Sequence, residues 1–378
     1  MLFQISGWLF LTLSLAGTAY TLLASWLVGR LTRTPLREAK AFPAVTILKP
    51  LHGSEPALEE SLEGFFKQDY PGPVQIVFGV DDACDPAIAV VERLKARHPG
   101  ADTALVTGTA RHGTNPKISN LVNMQSAIRH GVLVLSDSDI AVTPDYLRRI
   151  VAALEPGEVG AVTCLYTGWP AGGLAAQLSA MGINYQFLPN VVTGCATGLA
   201  EPCFGSTIAL KQPVFEAIGG FAAFADFLAD DYEIGRAVRR RGLKVAIPPF
   251  AVRHACAETG LGQWLGHELR WMRTIRTVDP AGHAGSIVTH AIPLGLLGAC
   301  LAGFTVFSTL ILAATLAARG VLKWRFDRLF GGSAGPYWLL PVRDVLSFGV
   351  FLVSLAGGAV NWQGAHMQVA RDGALSNR

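Results

Sequence analysis

Val132-Leu133-Val134-Leu135-Ser136-Asp137-Ser138-Asp139 is the stretch whose reading decides the fold. Four consecutive branched apolar residues, too short a run for a helix, predict a strand buried on both faces, as strands of a parallel sheet are. The strand runs directly into two carboxylates that flank one serine. In an open parallel sheet ligands bind beyond the carboxyl ends of the strands, so Asp137 and Asp139 are expected at a ligand site. An Asp-x-Asp triplet alone is weak, because acids are common in exposed turns. The apolar strand before it supplies the weight.

Working outward, Gln75-Ile76-Val77-Phe78-Gly79-Val80 repeats the design and ends at Asp81-Asp82. Further strands are expected at Val45–Leu48, Thr103–Val106 and Ala161–Leu165. Helices are expected at Leu58–Lys67, Ile88–Arg97, Ile118–Arg129 and Pro144–Leu154, where Pro144 suits a first helical turn. Alternating strands and amphipathic stretches predict an α/β fold, Rossmann-like, with a mostly parallel sheet. No GxGxxG follows the first strand and no GxxxxGK[ST] occurs, so a dinucleotide fold and a P-loop are disfavoured.

The chain has 378 residues, 51% of them hydrophobic and 16% charged, and the apolar excess gathers near its ends. No charged side chain occurs between Leu2 and Val28, and about 20 apolar residues suffice to cross a bilayer core. Leu9–Val28 reads as a membrane helix. A cleaved signal peptide fits less well, since the run is too long and lacks a basic start and a clear cleavage site. Ser286–Ala318 carries no formal charge, and Val345–Val360 is a further apolar run. Arg30, Arg33, Arg37 and Lys40 follow the first helix while Arg270, Arg273 and Arg276 precede the second region, which predicts a cytoplasmic central domain. A basic loop with Arg319, Lys323, Arg325 and Arg328 comes next, so Ser286–Ala318 is expected to enter the membrane and return, as about 25 Å per arm, although a single long span also fits. The six cysteines show no CxxC pair or metal-ligand spacing and read as reduced thiols. Basic residues without aromatic interleaving exclude a nucleic-acid surface and leave the lipid bilayer as the natural neighbour.

A sugar nucleotide brings a diphosphate that must be neutralised as it departs. Asp137 and Asp139 have the spacing to hold a hard divalent cation shared with it, Mg²⁺ or Mn²⁺. Asp82 is placed to accept hydrogen bonds from the nucleotide base. Lys117, in Lys117-Ile118-Ser119-Asn120-Leu121, is either a contact to base or phosphate or an exposed lysine at a helix start. Transfer to an alcohol needs a group to take its proton, and Asp231, in the helix-start pair Asp230-Asp231, is the candidate base. The alternative for that pair is ordinary helix capping. His267-Glu268-Leu269-Arg270-Trp271 reads as helix, which puts His267 and Arg270 on one face, aimed at a phosphate, beside the Trp271 indole. His254 and His283 are given structural roles.

Taken together, Lys49-Pro50-Leu51-His52-Gly53, Gln68-Asp69-Tyr70-Pro71, Asp82, Lys117-Ile118-Ser119-Asn120-Leu121, Asp137-Ser138-Asp139, Pro202-Cys203-Phe204-Gly205, Gly219-Gly220-Phe221, Ala229-Asp230-Asp231-Tyr232 and Arg270-Trp271 resemble the membrane-bound ceramide glucosyltransferase type, glycosyltransferase family 21. More closely, the chain is similar to bacterial hopanoid-biosynthesis glycosyltransferases. The resemblance runs from about Pro43 to Arg276. It implies a GT-A fold, inversion at the anomeric carbon and a UDP-sugar donor. It implies that Asp82 contacts uridine, that Asp137 and Asp139 bind metal, that Asp231 is the general base, and that Arg270 and Trp271 close the (Q/R)xxRW motif. His267 departs from that motif, standing where Gln or Arg is the rule. For the hopanoid type the implied reaction moves N-acetylglucosamine from its UDP form onto the terminal hydroxyl of bacteriohopanetetrol.

The expectation is therefore a multi-pass protein of the bacterial inner membrane with a cytoplasmic GT-A domain and a lipid acceptor, hopanoid or sphingolipid. Its segments are a transmembrane helix at 1–29, the GT-A domain at 30–284, a membrane hairpin or span at 285–318, a basic loop at 319–344, and a transmembrane helix with tail at 345–378. Ceramide glucosylation, a processive polysaccharide synthase and a non-catalytic membrane scaffold are the rival readings.

Overall fold

In the computed structural model, β1 (Val45–Pro50), β2 (Val74–Val80), β3 (Asp102–Thr107) and β4 (Val132–Leu135) form the parallel half of a seven-stranded sheet. The structure describes residues 2–356 and the short segments 359–362, 365–369 and 375–377. β1 is buried at every position and lies between β2 and β4 in parallel register, Leu48 opposite both Val77 and Leu135. Later strands are β5 (Ile140–Ala141), β6 (Val159–Thr163), β7 (Leu165–Pro170), β8 (Ile208–Lys211), β9 (Lys244–Ala246) and β10 (Ala251–Cys256). The full order is β3-β2-β1-β4-β8-β6-β9, with β8 antiparallel to both β4 and β6. The sheet is mostly parallel, as expected, but the expected strand Ala161–Leu165 is interrupted at Cys164 and becomes β6 and β7.

Side chains of the sheet and the helices over it make one core, with Leu48, Val77, Ile118, Leu121, Met124, Leu133, Ile208 and Phe221 all buried. Helix Pro116–Met124 starts on Asn115, whose side chain accepts from Ile118 N at 3.0 Å, with proline in the first turn. It lies so close to β2 that a Cβ on Gly79 would meet Asn120 Oδ1 at 2.5 Å, and Asn120 Nδ2 uses the gap to donate to Gly79 O at 2.9 Å. A small sheet, β5-β10-β7, sets His254 of β10 opposite Ile140 of β5.

The chain divides into two compact units: an α/β unit of residues 35–167 and 201–257, and a helical unit of residues 1–34, 168–200 and 258–366. The units thus cut across the segment 30–284, since 168–200 and 258–284 belong to the helical unit. Helix Leu2–Leu31 packs there against helices Ala291–Ala302 and Val306–Phe330. Close approach needs small residues, as in membrane helix pairs. A Cβ on Gly17 would stand 2.1 Å from Val288 O and one on Gly298 would stand 2.8 Å from Leu11. Ser14 Oγ donates to Ala291 O at 2.9 Å, and the Thr18 and Thr315 hydroxyls meet at 2.8 Å. The outer faces stay apolar, with Ile5, Leu9, Leu22, Phe307, Leu310 and Trp324 exposed.

By length and composition, two helices among the described residues can cross a membrane, Gln4–Leu31 and Val306–Phe330. Pro280–Thr289 and Ala291–Ala302 form a further pair bent by 60°. The apolar stretch expected to enter and return is broken at Gly303 and Phe304, both with positive φ, and Thr305 then caps the next helix. The last expected span is a 16-residue helix, Leu339–Ser354, that buries Arg343 and Asp344; of the rest of that apolar run, residues 357 and 358 lie outside the described residues, and Ala359–Trp362 is a strand.

Candidate active site

The carboxyl ends of β2, β1 and β4 share one edge of the sheet, and the residues after them face the same side. Strand spacing of about 4.8 Å puts Asp82, after β2, roughly 10 Å from the turn after β4. Asp82 is exposed, and its Oδ1 accepts from Cys84 N at 2.9 Å. Asp85 caps the following helix through Ala87 N at 2.7 Å and also accepts from Gly53 N.

Asp137 is tied at both ends of its peptide. Its N–H donates to Gly205 O at 3.1 Å, and its carbonyl accepts from the buried ammonium of Lys49. Lys49 is the last cation anyone would place inside a β-strand core, and it lies 4.1 Å from the centroid of the Phe65 ring. Burial lowers its pKa to about 7, against the pull of Asp139, Asp137 and Glu55.

Gly205 links the metal-type acids to the candidate base. Its carbonyl accepts from Asp137, while its N–H donates to Asp231 Oδ2 at 2.9 Å. A side chain here would collide, since a Cβ would lie 2.5 Å from Asp137 Oδ2 and 2.9 Å from Lys117 Nζ. Asp230 and Asp231 open helix Asp230–Arg240, but no side chain caps that helix. The pair instead turns to Lys117 and Gly205. Lys117 Nζ lies 2.8 Å from Asp137 Oδ1 and 3.2 Å from Asp230 Oδ2. Lys117 is thus not an exposed helix-start lysine; it is a shared counter-ion among acids. Burial opposes its charge, but Asp137, Asp230 and Asp231 outweigh that and raise its pKa above the usual lysine value.

One cation cannot neutralise three acids. Asp231 shows the result: burial first, then the charge of Asp230, push its pKa up to about 6, with Lys117 and the Gly205 N–H acting against them. It is ionised at neutral pH and poised to take a proton.

His254, given a structural role from sequence, stands in the site. Its Nε2 lies 3.1 Å from Asp139 Oδ2, and Ala255 N donates to Asp139 O at 2.8 Å, so β10 delivers the imidazole to the acid. Burial disfavours the charged ring, yet Asp139 outweighs it and raises the His254 pKa well above the usual histidine value. Asp137 and Asp139 would offer hard carboxylate oxygens to a divalent cation, whereas His254, raised in pKa by Asp139, is the ion-pair partner of that acid. Among the described residues the three-group cluster within 4.8 Å is His52, Asp81 and Asp85, but Asp85 is occupied as a cap and Arg111 pairs with Asp81 at 3.2 Å.

Lys117, Asp137, Asp139 and Asp231 are therefore brought together in the α/β unit, with Asp82 on the same sheet edge. His267, Arg270 and Trp271 lie on helix Leu261–Val278 of the helical unit. There His267 Nδ1 is 2.6 Å from Glu258 Oε1, and the His267 and Trp271 rings meet edge-on at 4.6 Å.

The profile of a protein family described as Glycosyl transferase family 21 matches residues 9–375. The chain is 25% identical over 275 residues to ceramide glucosyltransferase 1 of Caenorhabditis elegans, covering 71% of this chain and 58% of that protein. It is 36% identical over 114 residues to the ceramide glucosyltransferase of Komagataella phaffii, covering 29% of this chain and 22% of that protein. The chain thus spans less than two thirds of the length of these relatives. In fold it is similar to a mannosyltransferase from Pyrobaculum calidifontis solved with GDP-Man and Mn²⁺, at TM-score 0.54 and 21% identity, over 93% of this chain and 99% of that one. The architecture is accordingly GT-A-like.

Proposed function

The chain belongs to glycosyl transferase family 21, and from that premise we propose that it is an inverting transferase that moves a sugar from a UDP-sugar onto the hydroxyl of a membrane lipid. Glucose onto a ceramide-class alcohol is the favoured reaction, because the relatives carry the name ceramide glucosyltransferase. Transfer of N-acetylglucosamine to bacteriohopanetetrol is the second reading, the one implied by the resemblance to hopanoid-biosynthesis glycosyltransferases.

The observation that carries the proposal is the Gly205 bridge, one residue whose carbonyl and N–H hold Asp137 and Asp231 in fixed relation. Asp137 and Asp139 would hold a divalent cation, Mg²⁺ or Mn²⁺, which when bound would neutralise the departing diphosphate, and His254 orients Asp139. Asp82 receives the nucleotide base. Asp231, ionised at neutral pH, accepts the proton of the acceptor hydroxyl as it attacks the anomeric carbon from the face opposite the diphosphate. Lys117 keeps the acids from repelling one another out of register. His267, Arg270 and Trp271 supply donors for the diphosphate. Helices Gln4–Leu31 and Val306–Phe330 anchor the protein in a bacterial inner membrane, with the α/β unit on the cytoplasmic side where the flanking arginines belong.

The test incubates purified protein in detergent with Mg²⁺ or Mn²⁺, equal UDP-glucose and UDP-N-acetylglucosamine, and both ceramide and bacteriohopanetetrol, and reads lipid products by mass spectrometry. A hexosyl ceramide supports the favoured reaction. An N-acetylhexosamine adduct on the hopanoid moves the enzyme to the second reading, and no glycolipid from any combination overturns both.

A further inference from the structure

Asn115 is fully buried just before Pro116, and each of its polar atoms has a partner. Proline restricts the residue before it to extended backbone, and Asn115 has φ −85° and ψ 111°, the conformation a helix cap needs. Its Oδ1 accepts from Ile118 N at 3.0 Å and its carbonyl from Ser119 N at 3.0 Å, which starts helix Pro116–Met124, the helix of Lys117. The cap bond fixes which way the amide points. Nδ2 is left on the other side, where it donates to Phe227 O at 2.8 Å and to Asp230 Oδ1 at 3.3 Å. The backbone is fastened to the same stretch: Asn115 N donates to Ala225 O at 2.8 Å, and Thr114 N and Oγ1 donate to Asp226 Oδ1 at 2.9 and 3.1 Å. Gly113 lets the two segments close, since a Cβ there would lie 2.6 Å from Ala225 O.

A capping asparagine needs only its oxygen, and aspartate or serine caps as well. The amide donor is therefore the part that the helix start does not explain. It meets Asp230, the first residue of helix Asp230–Arg240, which has no side-chain cap of its own. Asp230 is 4% exposed and is held on both oxygens, Oδ1 by Asn115 and Oδ2 by Lys117 at 3.2 Å. One side chain thus caps the helix of Lys117 and steadies the first turn that carries Asp231. We propose that Asn115 is a positioning residue for the transfer step: it holds Asp230 against Lys117 so that Asp231 keeps its place on the Gly205 N–H, and its neutral amide adds no fourth acid to the group. The groups facing Asp231 are Asp230 on its own helix, Lys117, Asp137 after β4, Tyr166 of β7 and Cys203, two residues before Gly205. Burial raises Tyr166 and Cys203, which stay neutral, so the charge around Asp231 is set by the two acids and the lysine. The inference rests on the reading of Asp231 as the general base of a lipid glycosyltransferase.

The test measures initial rates across neutral pH in detergent with Mn²⁺ for the wild type, Asn115→Ser and Asn115→Asp, with thermal melts alongside. The substrates are UDP-glucose with ceramide, or UDP-N-acetylglucosamine with bacteriohopanetetrol where the wild type makes that product. Serine and aspartate both cap, so a residue that only starts a helix would tolerate either. Asn115→Ser is expected to lower kcat about tenfold, the scale of losing a hydrogen bond to a charged group, with the KM for the UDP-sugar and the melt close to wild type. Asn115→Asp is expected to move the acid limb of the kcat profile up by about one pH unit, because a further carboxylate disfavours the ionised form of Asp231. Wild-type rates and profile in both variants overturn the inference and leave the proposed function standing, as does a loss in Asn115→Ser that appears only with a lowered melt. Where Asn115→Asp does not fold, kcat in Asn115→Ser decides. A wild-type protein that forms no glycolipid from either pair overturns the proposed function and the inference together.

Discussion

Asp344, Glu268 and Asp327 in the helical unit each have a cation to themselves, whereas Asp137, Asp230 and Asp231 in the α/β unit share one lysine. Arg319 grips Asp344 through two nitrogens at 2.7 and 2.6 Å, Arg343 meets both oxygens of Glu268 at 2.9 Å, and Lys323 lies 2.6 Å from Asp327. These pairs close on themselves. Arg319 even spends its remaining nitrogen on Tyr185 O, in the π-turn Ile183–Phe187. Around Lys117 the charge does not close, and burial together with the neighbouring Asp230 raises Asp231. The difference separates charge used to hold helices together from acidic charge left in excess in the α/β unit.

Breaking a closed pair is expected to be the most damaging change. Asp344→Ala strands a buried guanidinium, and a loss of about 3–5 kcal/mol of stability is expected, read as a collapse of the melting transition in detergent. An unchanged melt would mean the pairs are ornaments of the surface. Asp231→Asn is expected to act the other way, lowering turnover about 100-fold, the scale of losing a general base, with the melt preserved because acid–acid repulsion is relieved. Ordinary turnover in that variant removes Asp231 from the role.

The pH profile sharpens the same contrast. The Asp231 pKa is raised to about 6, so its basic form is full above that pH and lost below it. Turnover is expected to fall about tenfold per unit as pH drops under the folded value. A flat profile between pH 7 and pH 5 contradicts the assignment. The smallest effect is expected for His254→Gln, about a tenfold weaker Mn²⁺ affinity in donor binding because Asp139 loses its orienting partner, with the fold retained. Equal metal titrations for the two proteins would remove His254 from any part in orienting Asp139.

Much of the α/β unit was legible because its information is local. A run of branched apolar residues ending in acids states both a buried strand and its functional end, and β4 has the predicted bounds, Val132–Leu135. Lys117 was legible as important but not as to partner, because its acids lie 20 and 113 residues downstream. β8 escaped notice: four residues, Ile208–Lys211, are too few to carry a periodicity of their own. His254 and Glu258 escaped for a related reason. A single histidine in the middle strand of a small sheet and a single glutamate after it have no pattern, and only the β5–β10 pairing and the turn into the helix show what they touch. The two-unit division was illegible altogether, since it depends on contacts between segments far apart in sequence.

That division has a consequence for how the molecule is made. Up to residue 356 the chain passes between its units four times, at 34/35, 167/168, 200/201 and 257/258. On the ribosome, β1 to β4 are complete long before β8 and β9 emerge, and the segment 168–200 must be handed to the helices in between. No single cut releases either half whole. Cuts at 34/35 and 257/258 would release the α/β segments only with residues 168–200 of the helical unit still between them, so the sheet is synthesised with helical-unit chain inside its span.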